Sequence, residues 1–171
     1  MKRKAGRRSR GSPAANGEAF RLEEFLPYRL SVAASRVSRM FARRYSEAYG
    51  LSIPEWRVLA MVGRLGTVSP SLVGERATMD KVKVSRAAAS LVSRGLLRQA
   101  HDPEDGRGRL LRLTRRGTSV YEGMVPLAHA LEGQLAEGLS RTEWSALLKA
   151  LEKLDVHARG FAGTEPSALL D

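Results

Sequence analysis

Residues 69–113 read SPSLVGERATMDKVKVSRAAASLVSRGLLRQAHDPEDGRGRLLRL, and the fold is decided in this stretch. Ser69-Pro70 sets a capping hydroxyl before a proline in a first helical turn, which starts a short helix carrying Leu72 and Val73. Ala77-Thr78-Met79 makes a short turn, and Asp80 caps a second helix running to about Arg94. Val84, Ala87, Ala88 and Leu91 fall on one face of that helix at helical spacing and form its core side. The opposite face carries Val82, Arg86, Ala89 and Ser93, flanked by Lys83, Ser85 and Ser90. No acidic residue occurs between Lys81 and Gln99. Small side chains let a helix sink into a major groove, where hydroxyls and cations meet phosphates and base edges. Two helices joined by a short turn, the second so decorated, are a helix-turn-helix arrangement; a solvated amphipathic helix is the competing reading of this segment alone.

The next residues favour the first reading. Gly95 ends the helix, and Leu96 to His101 has the character of a strand. The run from Asp102 to Gly108 is rich in turn residues, and Arg109 to Leu113 returns as a second strand. A hairpin directly after a recognition helix is a wing. Its tip projects Arg107, with Arg109 as a further candidate two residues on. An arginine on a thin loop suits the narrow minor groove, where negative potential is strongest. Asp105 stands two residues earlier, placed to pair with Arg107 and hold its fork in one pose.

Upstream, Ser52-Ile53-Pro54-Glu55 is a capping box with proline in the first turn of a helix. Trp56, Leu59, Ala60, Met61 and Leu65 form its apolar side, and Gly66 ends it. Trp56 on such a stripe reads as core before it reads as a ligand platform. From Phe20 to Tyr49 the pattern is helical through Leu22, Phe25, Leu26, Leu30, Val37, Phe41 and Tyr45, with Pro27 as a start or a kink and Gly50 as the stop. A helix this long suggests packing against a partner subunit. Downstream, Thr114 caps a helix from Arg115 to about Gly138, bent at Pro126. Ser140 and Glu143 form a second capping box, opening a helix with Trp144, Leu147, Leu148, Leu151 and Leu154 on its apolar face. The expected organisation is a disordered basic arm (1–18), an N-terminal dimerisation helix (19–50), a DNA-binding lobe (51–117), C-terminal dimerisation helices (118–160) and a flexible tail (161–171).

Composition agrees. The net charge is +11, and Lys2, Arg3, Lys4, Arg7, Arg8 and Arg10 crowd the start of the chain, yet the remainder is basic as well. Such a balance favours a polyanion, with an anionic membrane surface as rival partner. The absence of cysteine excludes a disulfide frame, a thiolate zinc site and a thiol switch. His101, His129 and His157 lie in different elements without ligand spacing, so neither a metal nor a cofactor is expected. No phosphate-cradling glycine loop or paired carboxylates point to an enzyme. An aromatic content of 6% and the lack of an aromatic stacking strand disfavour an RNA-binding module. No apolar run is long enough to span a bilayer and no secretory signal is legible, so a cytoplasmic protein without membrane contact is the expectation.

The order of elements and their motifs resembles the MarR (multiple antibiotic resistance regulator) family. The likeness is carried by Ile53-Pro54-Glu55-Trp56-Arg57-Val58-Leu59, by Met79-Asp80-Lys81-Val82-Lys83-Val84-Ser85-Arg86, and by Leu91-Val92-Ser93-Arg94-Gly95-Leu96-Leu97. Asp105-Gly106-Arg107 at the wing tip and Leu111-Arg112-Leu113-Thr114-Arg115-Arg116-Gly117 complete it, over residues 20–158. The resemblance implies a mainly α fold with a small β-wing, dimerising through its N- and C-terminal helices on a pseudo-palindromic operator. It implies DNA contacts from Lys81, Lys83, Ser85 and Arg86, and from Arg107 in the minor groove with Asp105 orienting it. It also implies a repressor released by a small aromatic or phenolic acid, or its thioester, in a pocket lined by Tyr28, Arg29, Arg36, Trp56 and Arg57. A constitutive or architectural DNA-binding regulator without small-molecule input is the alternative.

Overall fold

The computed structural model describes residues 20–102 and 108–161. The chain divides between Arg39 and Met40 into two compact units. The first holds a 3-10 turn at Leu22–Glu24 and the beginning of α1, Leu26–Tyr49. The α-helix starts at Leu26 and not at Phe20, because Pro27 occupies its first turn, where the missing N–H has no helical partner to lose. Pro27 is therefore a start and not a kink. Phe20 and Phe25 meet edge to face at 5.5 Å, and Arg21 pairs with Glu24 at 2.8 Å. Leu22, Leu26, Tyr28 and Leu30 stand exposed beside them.

The second unit continues α1 and adds α2 (Ile53–Leu65), α3 (Pro70–Ala77) and α4 (Lys81–Ser93). Strands β1 (Leu97–His101) and β2 (Arg109–Leu113) follow, then α5 (Arg115–Ala136) and α6 (Arg141–Phe161). The strands are antiparallel, with Leu97 opposite Leu113 and His101 opposite Arg109. Val68 bridges Leu111 through two backbone hydrogen bonds of 2.8 and 3.1 Å, so the α2–α3 connection is tied to the middle of β2.

The capping chemistry sets the helix starts. The Ser69 hydroxyl accepts from the Leu72 N–H at 3.2 Å, the Asp80 carboxylate from the Lys83 N–H at 2.8 Å, and the Thr114 hydroxyl from the Gly117 N–H at 3.0 Å. At α6, Glu143 accepts from the Ser140 N–H at 2.8 Å while its own N–H donates back to the Ser140 hydroxyl at 3.3 Å. That carboxyl is held below the usual range, first by the Ser140 hydroxyl and then by the Ser140 backbone N–H. The core gathers Leu59 and Val62 of α2, Val73 of α3, Val84 and Leu91 of α4, Leu97 and Leu111 of the strands and Met124 of α5. Close approach at its edge requires glycine: a Cβ on Gly117 would lie 1.9 Å from the Leu96 carbonyl oxygen. Helix α5 runs through Pro126 and ends at Ala136, with Glu137 rather than Gly138 as its cap. Along α6, Leu147, Leu148, Leu151, Leu154 and Val156 are exposed. Among the described residues no helix is long and apolar enough to cross a membrane.

Candidate nucleic-acid interface

Helix α4 is held on one side and open on the other. Val84, Ala87, Ala88 and Leu91 are buried, while Lys81, Val82, Lys83, Ser85, Arg86 and Ala89 are exposed. The turn before it depends on Thr78, whose φ of 51° places it in the left-handed region. Asp80 then caps the helix, and the Lys83 ammonium returns to its carboxylate at 2.9 Å. Both side chains are exposed, so this pair yields readily to a phosphate competing for the ammonium. The Lys83 backbone N–H, then its side chain, holds the Asp80 carboxyl below its ordinary range. The four α4 residues expected at DNA, Lys81, Lys83, Ser85 and Arg86, are thus brought to one open basic face.

Arg109 is exposed at the start of β2, and its guanidinium donates to the Gln99 side-chain oxygen at 3.2 Å across the hairpin. It stands at the loop end of the hairpin, opposite His101, with Lys81, Ser85 and Gln99 around a groove of about 480 Å³. Asp105 and Arg107 lie outside the described residues, as do the basic arm and the tail beyond Phe161.

One cluster escaped the sequence reading. Glu55 accepts from the Ser52 N–H and hydroxyl, both at 2.7 Å, through one oxygen. Its other oxygen accepts from the Ser90 hydroxyl of α4 at 2.5 Å and lies 3.6 Å from the Arg94 guanidinium. Arg94 also donates to the carbonyls of Tyr49 at 2.8 Å and Gly50 at 3.0 Å, and Arg116 donates to the Arg94 carbonyl at 3.2 Å. The end of α1 and the starts of α2 and α5 are thereby fastened to the recognition helix. Burial opposes ionisation of Glu55, but the hydrogen bonds from Ser90 and Ser52 and the nearby Arg94 outweigh it and hold the carboxyl below its ordinary range. The capping box accounted for one oxygen of Glu55; nothing local in the sequence pointed to Ser90, 35 residues away.

The residues expected at an effector divide between the two units. Tyr28, Arg29 and Arg36 lie exposed on α1 in the first unit. In the second, the Trp56 ring packs on Tyr45 at 5.1 Å, and the Arg57 guanidinium sits 5.9 Å from the Trp56 ring centroid. The Trp56 indole nitrogen is buried without a hydrogen-bond partner. Burial, then the neighbouring Tyr49, pushes the Tyr45 hydroxyl up. Among the described residues no group of three or more histidine, aspartate or glutamate side chains could hold a metal ion.

A recognition helix after a tight turn, followed by an antiparallel hairpin and flanked by long helices, defines a winged helix-turn-helix protein. Residues 49–108 match the model of the MarR family, and the relatives that the chain resembles are transcriptional regulators. It is 28% identical over 152 residues to the HTH-type transcriptional repressor IacR of Pseudomonas putida, covering 84% of this chain and 90% of that protein. Among solved structures, Bordetella bronchiseptica BpsR, described with a mechanism for regulation of its DNA binding by 6-hydroxynicotinic acid, superposes with a TM-score of 0.74 at 27% identity, over 81% of this chain and 98% of that one. A probable transcriptional regulator from Pseudomonas aeruginosa gives 0.71 at 28% identity, over 78% and 99%.

Proposed function

We propose that the protein is a homodimeric, sequence-specific repressor of double-stranded DNA, released from a pseudo-palindromic operator by a small aromatic or phenolic acid or its thioester. The observation that carries the DNA part is the open face of α4, where Lys81, Lys83, Ser85 and Arg86 are all exposed with no carboxylate after the Asp80 cap. Lysines there meet phosphates, while Arg86 is suited to the paired acceptors of guanine. Arg107, with Asp105 beside it in sequence, is assigned to the minor groove, and Arg109 at the loop end of β2 to the flanking backbone. The homodimer is supported by apolar residues that one chain leaves uncovered, on α6 and at the start of α1.

The effector reading draws on the relatives. IacR is named a repressor, and 6-hydroxynicotinic acid regulates DNA binding by BpsR. In this chain the unpartnered Trp56 indole N–H next to Arg57 offers a donor and a cation to an aromatic carboxylate. Tyr28, Arg29 and Arg36 of the first unit carry the same chemistry, a phenol ring with cations, and are assigned to effector binding by the family resemblance. The test is a titration of a selected operator duplex by fluorescence anisotropy, alone and with a panel of aromatic acids. The proposal expects salt-dependent binding that an acid of the panel weakens while raising the melting temperature. Binding that no acid alters would leave a constitutive regulator, and no preference for the selected duplex would end the repressor reading.

A further inference from the structure

Val82 is the single large apolar side chain exposed on α4, at 57%. Folding gives no reason for it. A valine on a helix surface has lower helix propensity than an alanine, and methyl groups left in water contribute no burial. Its neighbours Lys81, Lys83, Ser85 and Arg86 form the basic face described above, and the adjacent carboxylate of Asp80 is occupied by the helix cap. Val82 is the second residue of the helix, in the turn that a recognition helix carries deepest into a major groove. There the base edges offer one apolar group, the C5-methyl of thymine.

We infer that Val82 reads a thymine methyl in each half-site and so determines sequence specificity at that base pair. This rests on the DNA-binding reading. The lysines beside it draw the helix onto the phosphates whatever the sequence, and Arg86 is suited to guanine, so none of these cations senses the methyl of a thymine; an aliphatic contact does. A β-branched side chain holds one strongly preferred rotamer in a helix, so little freedom is lost on contact.

The test substitutes deoxyuridine for thymine one position at a time in a selected operator, which deletes the methyl and leaves every hydrogen bond in place. At one position per half-site, affinity should fall about three- to tenfold. Val82→Ala should bind the thymine and deoxyuridine duplexes alike, with its helical signal and melting temperature unchanged because the side chain touches no core. Specific binding with no deoxyuridine-sensitive position, or a Val82→Ala variant that keeps the sensitivity, would overturn the assignment and leave the operator reading standing. No preference for the selected duplex over an unrelated one would overturn both.

Discussion

Helices α4 and α6 carry apolar stripes of similar spacing, and one chain treats them differently. On α4, Val84, Ala87, Ala88 and Leu91 are 4% exposed or less, packed among α2, α3 and the hairpin. On α6, Leu147, Leu148, Leu151 and Leu154 are each 40% exposed or more. The lobe around α4 is complete within a single chain, whereas α6 presents a surface that only another surface can cover. The same periodicity therefore gives a buried face on α4 and an exposed face on α6, assigned above to the proposed dimer, and the difference lies in what the rest of the chain brings to it.

Damage to the two stripes should separate stability from assembly. Leu91→Ala should cost about 2–5 kcal/mol in chemical denaturation, since Leu91 is fully buried and a cavity would remain. The double substitution Leu148→Asp with Leu151→Asp should leave the lobe folded but give a monomer in analytical ultracentrifugation. Operator affinity should then fall about a hundredfold, because two half-sites are no longer engaged together. A dimer that survives both aspartates would move the interface off α6.

The open face of α4 sharpens the contrast further. Arg86→Ala should weaken operator binding by about 1–3 kcal/mol and relax specificity at one base pair, with the dimer and melting temperature unaffected. A lost dimer would mean that Arg86 belongs to the interface and not to DNA.

The smallest expected effect concerns the clamp that holds α4. Glu55 has its folded-state pKa lowered, so its contribution to stability is present above the ordinary glutamate range of about 4.3 and is lost as the pH falls through the folded value. Glu55→Gln keeps the shape and removes the charge. Its melting temperature should lie below that of the parent protein near neutral pH and converge with it in acid. Curves that run parallel down to acid pH would show that the carboxylate charge contributes nothing.

Much of this was legible in the sequence, and for local reasons. Capping pairs such as Ser69 with Leu72 and Asp80 with Lys83 operate within one turn, so the helix starts followed from neighbouring residues. The hairpin and both faces of α4 followed from spacing for the same reason. Contacts of long sequence separation were not legible. Glu55 was readable as a cap and not as the partner of Ser90 and Arg94, and the approach of Gly63 to the Tyr121 ring was equally silent. The residues proposed for an effector were the least legible part, because Trp56 and Arg57 have the same sequence signature whether they fill a core or line a pocket.

The most direct measurement is a hydroxyl-radical footprint of the full chain on a selected operator at low salt. Two protected patches on one side of the duplex, centred about one helical turn or ~34 Å apart, are the predicted result. A single patch, or uniform cleavage at protein concentrations that saturate binding, would contradict a dimer that lays two α4 helices in successive major grooves.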